Sequence, residues 1–160
     1  MIVVADSGPP HYLILLGHIE LLHRFYGRVA IPQAVANELR AEGSPAAVSS
    51  WIAHPPEWVA VTPVPQEQIE SITDHLDLGE RAAIALAGTI RADLLLIDDA
   101  AGREEARRRN LRVTGTLGVL RAGAEQGIID VPDTVSNLRV TSFYVDDALI
   151  NAIFARWLGP

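Results

Sequence analysis

The chain of 160 residues is 49% hydrophobic and 21% charged, the balance of an ordinary globular protein, and it is long enough to bury a real core in a single domain over residues 1–160. It contains no cysteine, which excludes disulfides, thiolate metal sites and cysteine nucleophiles; its formal charge of −7 argues against a general nucleic-acid coat but leaves room for an acidic enzyme that meets phosphates through metal ions. No apolar run approaches the ~20 residues of a membrane span and no basic leader precedes the first strand, so a cytoplasmic protein with no membrane partner is expected.

Ile2 to Ala5 reads as a short buried strand that ends in Asp6. Ser7, Gly8, Pro9 and Pro10 then break it, and helical periodicity starts near His11, resuming after Gly17 through Ile19, Leu21, Leu22 and Phe25. His11, His18 and His23 lack metal-ligand spacing and read as surface or helix-end residues. Arg28 to Ile31 forms another strand, and Pro32 suits the first turn of the helix that follows. On that helix Val35 and Leu39 share an apolar face, and Glu38 borders it. A short helix through Val48, Trp51 and Ile52, a strand over Trp58 to Val61, and a polar helix over Gln66 to Thr73 carry no chemical signal.

The helix opened by Gly79 is packed with small apolar residues on all sides, which places it centrally; Asp77 and Glu80 lie in its first turn, where the helix dipole favours acids. Next comes D-L-L-L-I-D-D-A-A-G-R, residues 93–103, read as a strand buried on both faces, an acidic tip and a helix running to Asn110. Ligands of open α/β sheets sit outside the carboxyl ends of the strands, so the paired Asp98 and Asp99 mark a candidate site. One Asp there is most simply a helix cap; two in succession ask for more. In the basic run that follows, Glu104 is expected to pair with Arg108 and Glu105 with Arg109. Arg103 and Arg107 have no such partner and are candidates for phosphate contact. Leu111 to Val113 reads as a last strand, Thr116 as the cap of a helix ending near Gly127, and the remainder as two helices that finish the core or meet a partner.

Asp6, Glu38, Glu80 (or Asp77) and Asp98 or Asp99 stand at element ends or on buried faces of one α/β sheet. Carboxylates without histidine or cysteine suit a hard cation, Mg²⁺ or Mn²⁺, and phosphodiester hydrolysis is the natural chemistry of such a site. The chain resembles the PIN-domain family, and within it the small stand-alone prokaryotic members. The resemblance rests on V-V-A-D-S-G-P at the start, L-D-L-G-E-R-A-A-I-A-L-A, L-L-L-I-D-D-A-A-G-R and V-T-G-T-L-G-V-L, and runs from Ile2 to about Leu138.

That resemblance implies a Rossmann-like three-layer α/β fold, with a central, mostly parallel sheet of four to five strands flanked by helices. It also implies a metal-dependent nuclease site in which Asp6, Glu38, Glu80 and the Asp98–Asp99 pair serve as catalytic, metal-binding acids. Ser7 joins Arg103 and Arg107 as an expected substrate contact. Many similar proteins are toxins of toxin–antitoxin pairs that cleave RNA. The expected partners are therefore single-stranded or structured RNA, an antitoxin protein and a second copy of the chain. A PIN-like module that binds nucleic acid or protein without cleaving is the alternative, and a phosphate-accepting receiver domain is disfavoured because the chain has no Lys. The family's usual Thr-x-Asp spacing points to Asp99 as the last ligand, with Ile97 in place of the Thr. Strand geometry favours Asp98 as the inner one, with Asp99 as an outer ligand or cap.

Overall fold

A computed structural model describes residues 1–159. Five strands form one sheet: β1 (Val3–Ala5), β2 (Val29–Pro32), β3 (Val59–Thr62), β4 (Leu94–Leu96) and β5 (Val113–Thr114). Their spatial order is β3-β2-β1-β4-β5, and every pairing is parallel. The α/β expectation holds, with the sheet fully rather than mostly parallel.

Among the described residues ten helices cover the sheet: α1 (Gly8–Leu15), α2 (Glu20–Tyr26), α3 (Gln33–Leu39), α4 (Ala46–Ala53), α5 (Gln66–Glu70), α6 (Leu78–Thr89), α7 (Ala100–Arg108), α8 (Thr116–Glu125), α9 (Val131–Arg139) and α10 (Asp147–Leu158). Strand residues alternate between two cores. Val3, Ala5 and Leu96 pack with Leu13, Leu120 and Phe154 on one face, while Val4, Leu95 and Ile97 pack with Ile84 and Ala106 on the other. Burial on both faces is why these strands are continuous apolar runs. The last two helices finish the first core, with Leu138, Ile150 and Phe154 buried.

The chain winds outward from β1 through β2 to β3, then returns to lay β4 on the other side of β1. The order of the strands thus reverses between β1 and β4, and the crevice there is the usual ligand site of such sheets. Two bonds seal the pairing below and above: Ile2 N–H donates to Asp93 Oδ2 at 2.6 Å, and Asp6 N–H to the Leu96 carbonyl at 2.9 Å.

Several local expectations need correction. The first helix begins at Gly8, not His11, because Pro9 and Pro10 fall in its first turn, where no amide donor is needed. Pro32 ends β2 and caps α3 rather than entering it. Glu105 takes both neighbouring guanidinium groups, Arg108 at 3.3 Å and Arg109 at 3.1 Å, so the Glu104–Arg108 pair does not form. Helix α7 stops at Arg108, and Asn110 turns the chain at φ 63°.

Candidate active site

Asp6 and Asp98 both follow their strands at the same, carboxyl edge of the sheet, flanking the β1–β4 crevice. They do not face the same way. Asp6 continues the side of β1 that carries Val4; on β4 that side belongs to Leu95 and Ile97, and so to Asp99. Asp98 continues the side of Leu96. The hydrogen-bond ladder still holds at Ile97, whose N–H donates to the Thr114 carbonyl at 2.9 Å, so the alternation reaches the acids intact.

On the α6 side lies a knot of carboxylates. Asp6 is only 5% exposed, and its carboxyl is pushed well above the ordinary value, first by burial and then by the charges of Asp77, Glu38 and Glu80, against a bond from the Ser7 amide. Its Oδ1 is buried with no hydrogen-bond partner. Glu80 is pushed up to about 7, by burial first and by Asp77, with Asp99 adding a further repulsion. Glu38 is raised by burial and by Asp77, and relieved by the Ser7 hydroxyl and the Gly79 amide. A methyl at Gly79 would overlap the Glu38 carboxylate, so glycine there lets α3 and the start of α6 meet. Asp77 and Glu80 also form a capping box: Glu80 N–H donates to Asp77 Oδ1 at 2.8 Å, and Asp77 N–H to Glu80 Oε2 at 3.2 Å.

On the other side Asp98 is fully engaged. Thr116 donates its N–H to Oδ1 and its hydroxyl to Oδ2, both at 2.7 Å. Added Cβ atoms at Gly8 and Gly115 would come within 2.7 Å and 2.5 Å of the same carboxylate, so two backbones close on it. Burial raises its pKa, and Thr116 and then Arg103 pull it back. Thr116 therefore does not cap α8; Gly115 holds that position, and the threonine is spent on Asp98. Asp99 caps α7 by accepting from Gly102 N–H at 3.0 Å.

Two clefts reach the acids. One of about 410 Å³ touches Ser7 and Glu38. The other, about 460 Å³, runs from Asp98 past Arg103, Arg107 and Arg121, with Leu149 and Ile153 of α10 opposite. The pair Arg103 and Arg107 thus lies together in one groove, while Ser7 lies on Glu38. Sequence reading missed Arg121, which pairs with Glu125 one helical turn on at 3.1 Å. It also missed Thr116 as the partner of Asp98.

As the side chains stand, no group of three or more acids or histidines among the described residues is set to hold one ion. The chemistry of the donors nonetheless fits a hard cation: the acids are all oxygen ligands, they repel one another, and the Asp6 Oδ1 has nothing to neutralise it.

A fully parallel, doubly wound sheet with acids at its reversal point defines a Rossmann-like α/β protein with an acidic crevice. The family model of the PIN domain matches residues 2–158, and the chain belongs to that family. PIN domains are generally nucleases that act on nucleic acids with divalent metals, so this chain is a nuclease-type module. Among curated proteins and solved structures no significant match was found. No helix among the described residues is long and apolar enough to cross a membrane.

Proposed function

We propose that the protein is a Mg²⁺- or Mn²⁺-dependent endoribonuclease of the cytoplasm, the toxin of a toxin–antitoxin pair. The observation that carries the nuclease reading is Asp6, a buried carboxylate crowded by three other acids and left with an unpartnered oxygen. Such an arrangement is unfavourable by itself and becomes favourable around a cation. Asp6, Glu38 and Glu80 would hold the ion, with the Asp98–Asp99 pair completing the site. Of that pair Asp99 is favoured as the ligand, because it is the one whose charge reaches Glu80. Asp98, bonded through both oxygens to Thr116, then acts as a positioning residue for Arg103. When bound, Mg²⁺ or Mn²⁺ supplies an activated water and stabilises the charge that develops in phosphodiester hydrolysis. Ser7 orients Glu38, and Arg103 and Arg107 receive the phosphates of the strand to be cut.

The toxin role rests on likeness to the small stand-alone members of the family. Expression in a bacterial host should arrest growth, Asp6→Asn should abolish the arrest, and co-expression of the neighbouring open reading frame should relieve it. The capping box favours a second reading, a module that binds without cutting, since helix capping alone accounts for the Asp77–Glu80 contact. A Mn²⁺ titration of RNA cleavage separates the two. Cleavage that rises with Mn²⁺ and vanishes in Asp6→Asn supports the nuclease; no metal-dependent cleavage of any RNA leaves the binding module.

A further inference from the structure

The arginine-lined cleft does not end at Asp98. A smaller hollow of about 160 Å³ shares Asp98, Arg103 and Gly115 with it and extends along the segment before α10, to Tyr144. Tyr144 is 96% exposed, the most exposed of the large apolar or aromatic side chains. Its segment is nevertheless anchored. Phe143 packs edge-on against Tyr12 with ring centroids 4.9 Å apart, the Tyr12 hydroxyl lies 3.0 Å from Ser142 Oγ, and Asp146 caps α10 through Leu149 N–H at 2.8 Å. A bare aromatic ring on a fixed segment gives up the hydration advantage of burial without any partner in the fold to show for it.

The surroundings say what would cover it. Arg103, Arg107 and Arg121 run along the same groove, which has Asp98 at its edge. A cationic track beside an aromatic platform is the physical design of a site for single-stranded nucleic acid: phosphates follow the charges and an unpaired base lies on the ring. A base inside a duplex has no face to offer.

We propose that Tyr144 stacks on an unpaired base of an RNA strand whose phosphates lie along Arg103, Arg107 and Arg121. This deepens the nuclease reading and rests on it for the choice of RNA as the ligand.

The test uses the full chain with Ca²⁺ in place of Mn²⁺. The probe is a fluorescein-labelled oligoadenylate of about twelve nucleotides, enough to fill one groove, measured by anisotropy free and annealed to its complement. Tyr144→Ala should weaken binding of the single strand about tenfold and leave the duplex unchanged, while Tyr144→Phe, which keeps the ring, should bind as the wild type. Arg121→Ala should reduce the salt slope by roughly one phosphate contact.

Equal binding by Tyr144→Ala and wild type would overturn the proposal, as would equal losses in the Ala and Phe variants or no binding of the single strand by the wild type. A shift of Tyr144→Ala from dimer to monomer in sedimentation would overturn it too, since the ring would then belong to a contact between copies. Mn²⁺-dependent cleavage measured beside these separates the two levels. Cleavage with Tyr144-independent binding removes the platform and keeps the nuclease; Tyr144-dependent binding without cleavage does the reverse.

Discussion

The two sides of the sheet at its carboxyl edge treat an acid in opposite ways. Asp98 has a donor for each oxygen and an arginine beside it. Asp6 has an amide on one side, three acids around it and a bare oxygen. Both carboxyls are raised by burial, yet only the second environment is frustrated as it stands. A satisfied carboxylate joins elements, here the tip of β4 to the start of α8. An unsatisfied one is a strained feature that the rest of the fold has to support, and such features concentrate where a ligand is to bind.

The comparison breaks most sharply at Asp6. Asp6→Asn should lower metal-dependent cleavage by more than about a hundredfold, since even residues that only orient metal ligands are worth 10–100-fold. The same variant should melt at or above the wild-type temperature in EDTA, because it removes a repelled charge. A lower melting temperature in EDTA would mean that Asp6 is structural.

Asp98→Ala should behave in the opposite sense. It strands the Thr116 amide and hydroxyl, and should cost about 2–3 kcal/mol, a drop in melting temperature of roughly 5–10 °C. Asp99→Asn keeps a good cap and should cost less than about 1 kcal/mol, while weakening Mn²⁺ binding more than Asp98→Asn does. Calorimetric melting with Mn²⁺ titration of the set reads both, and a greater loss of Mn²⁺ affinity in Asp98→Asn would reverse the assignment.

A subtler distinction is in pH. The Glu80 carboxyl, ordinarily at 4.5, stands at about 7 in the fold. Between those values the folded chain keeps a proton that the unfolded chain has lost. The contribution to stability is therefore full below about 4.5 and is lost as pH rises through about 7. Asp6 and Glu38 shift in the same direction. Melting in EDTA should accordingly fall with rising pH over this window, and saturating Mn²⁺ should flatten or invert the slope. A metal-free slope that rises with pH would contradict the crowding. The smallest effect is expected from Gly79→Ala: helix propensity gains up to about 1 kcal/mol, but the Glu38 carboxylate is displaced, so cleavage should drop while stability barely moves.

Much of this was legible in the residues because a buried parallel strand announces both its extent and its direction. An apolar run followed by an acid and a turn puts the acid at the carboxyl edge, and two such runs put Asp6 and Asp98 at one edge. Which neighbours they meet was not legible. The parity that pairs Asp6 with Asp99 depends on knowing which core each strand residue enters, a property of strand pairing across about ninety residues of sequence. Thr116 looked like a cap because a threonine at the start of a helical run commonly is one; its real partner, Asp98, lies 18 residues away. Pro9 and Pro10 read as breakers because the same residue that ends a strand can begin a helix. Tyr144 read only as one of the aromatics of a tail that finishes the core or meets a partner, since exposure is a property of the fold and not of the residue.

The bond from Ile2 to Asp93 spans 91 positions. Its consequence is temporal. As a ribosome makes the chain, the first strand has only one of its two neighbours until β4 has emerged, and Asp98 has no donors until Thr116 follows. Contacts so remote in sequence form late and slowly. The crevice between β1 and β4 is thus incomplete for more than half of synthesis.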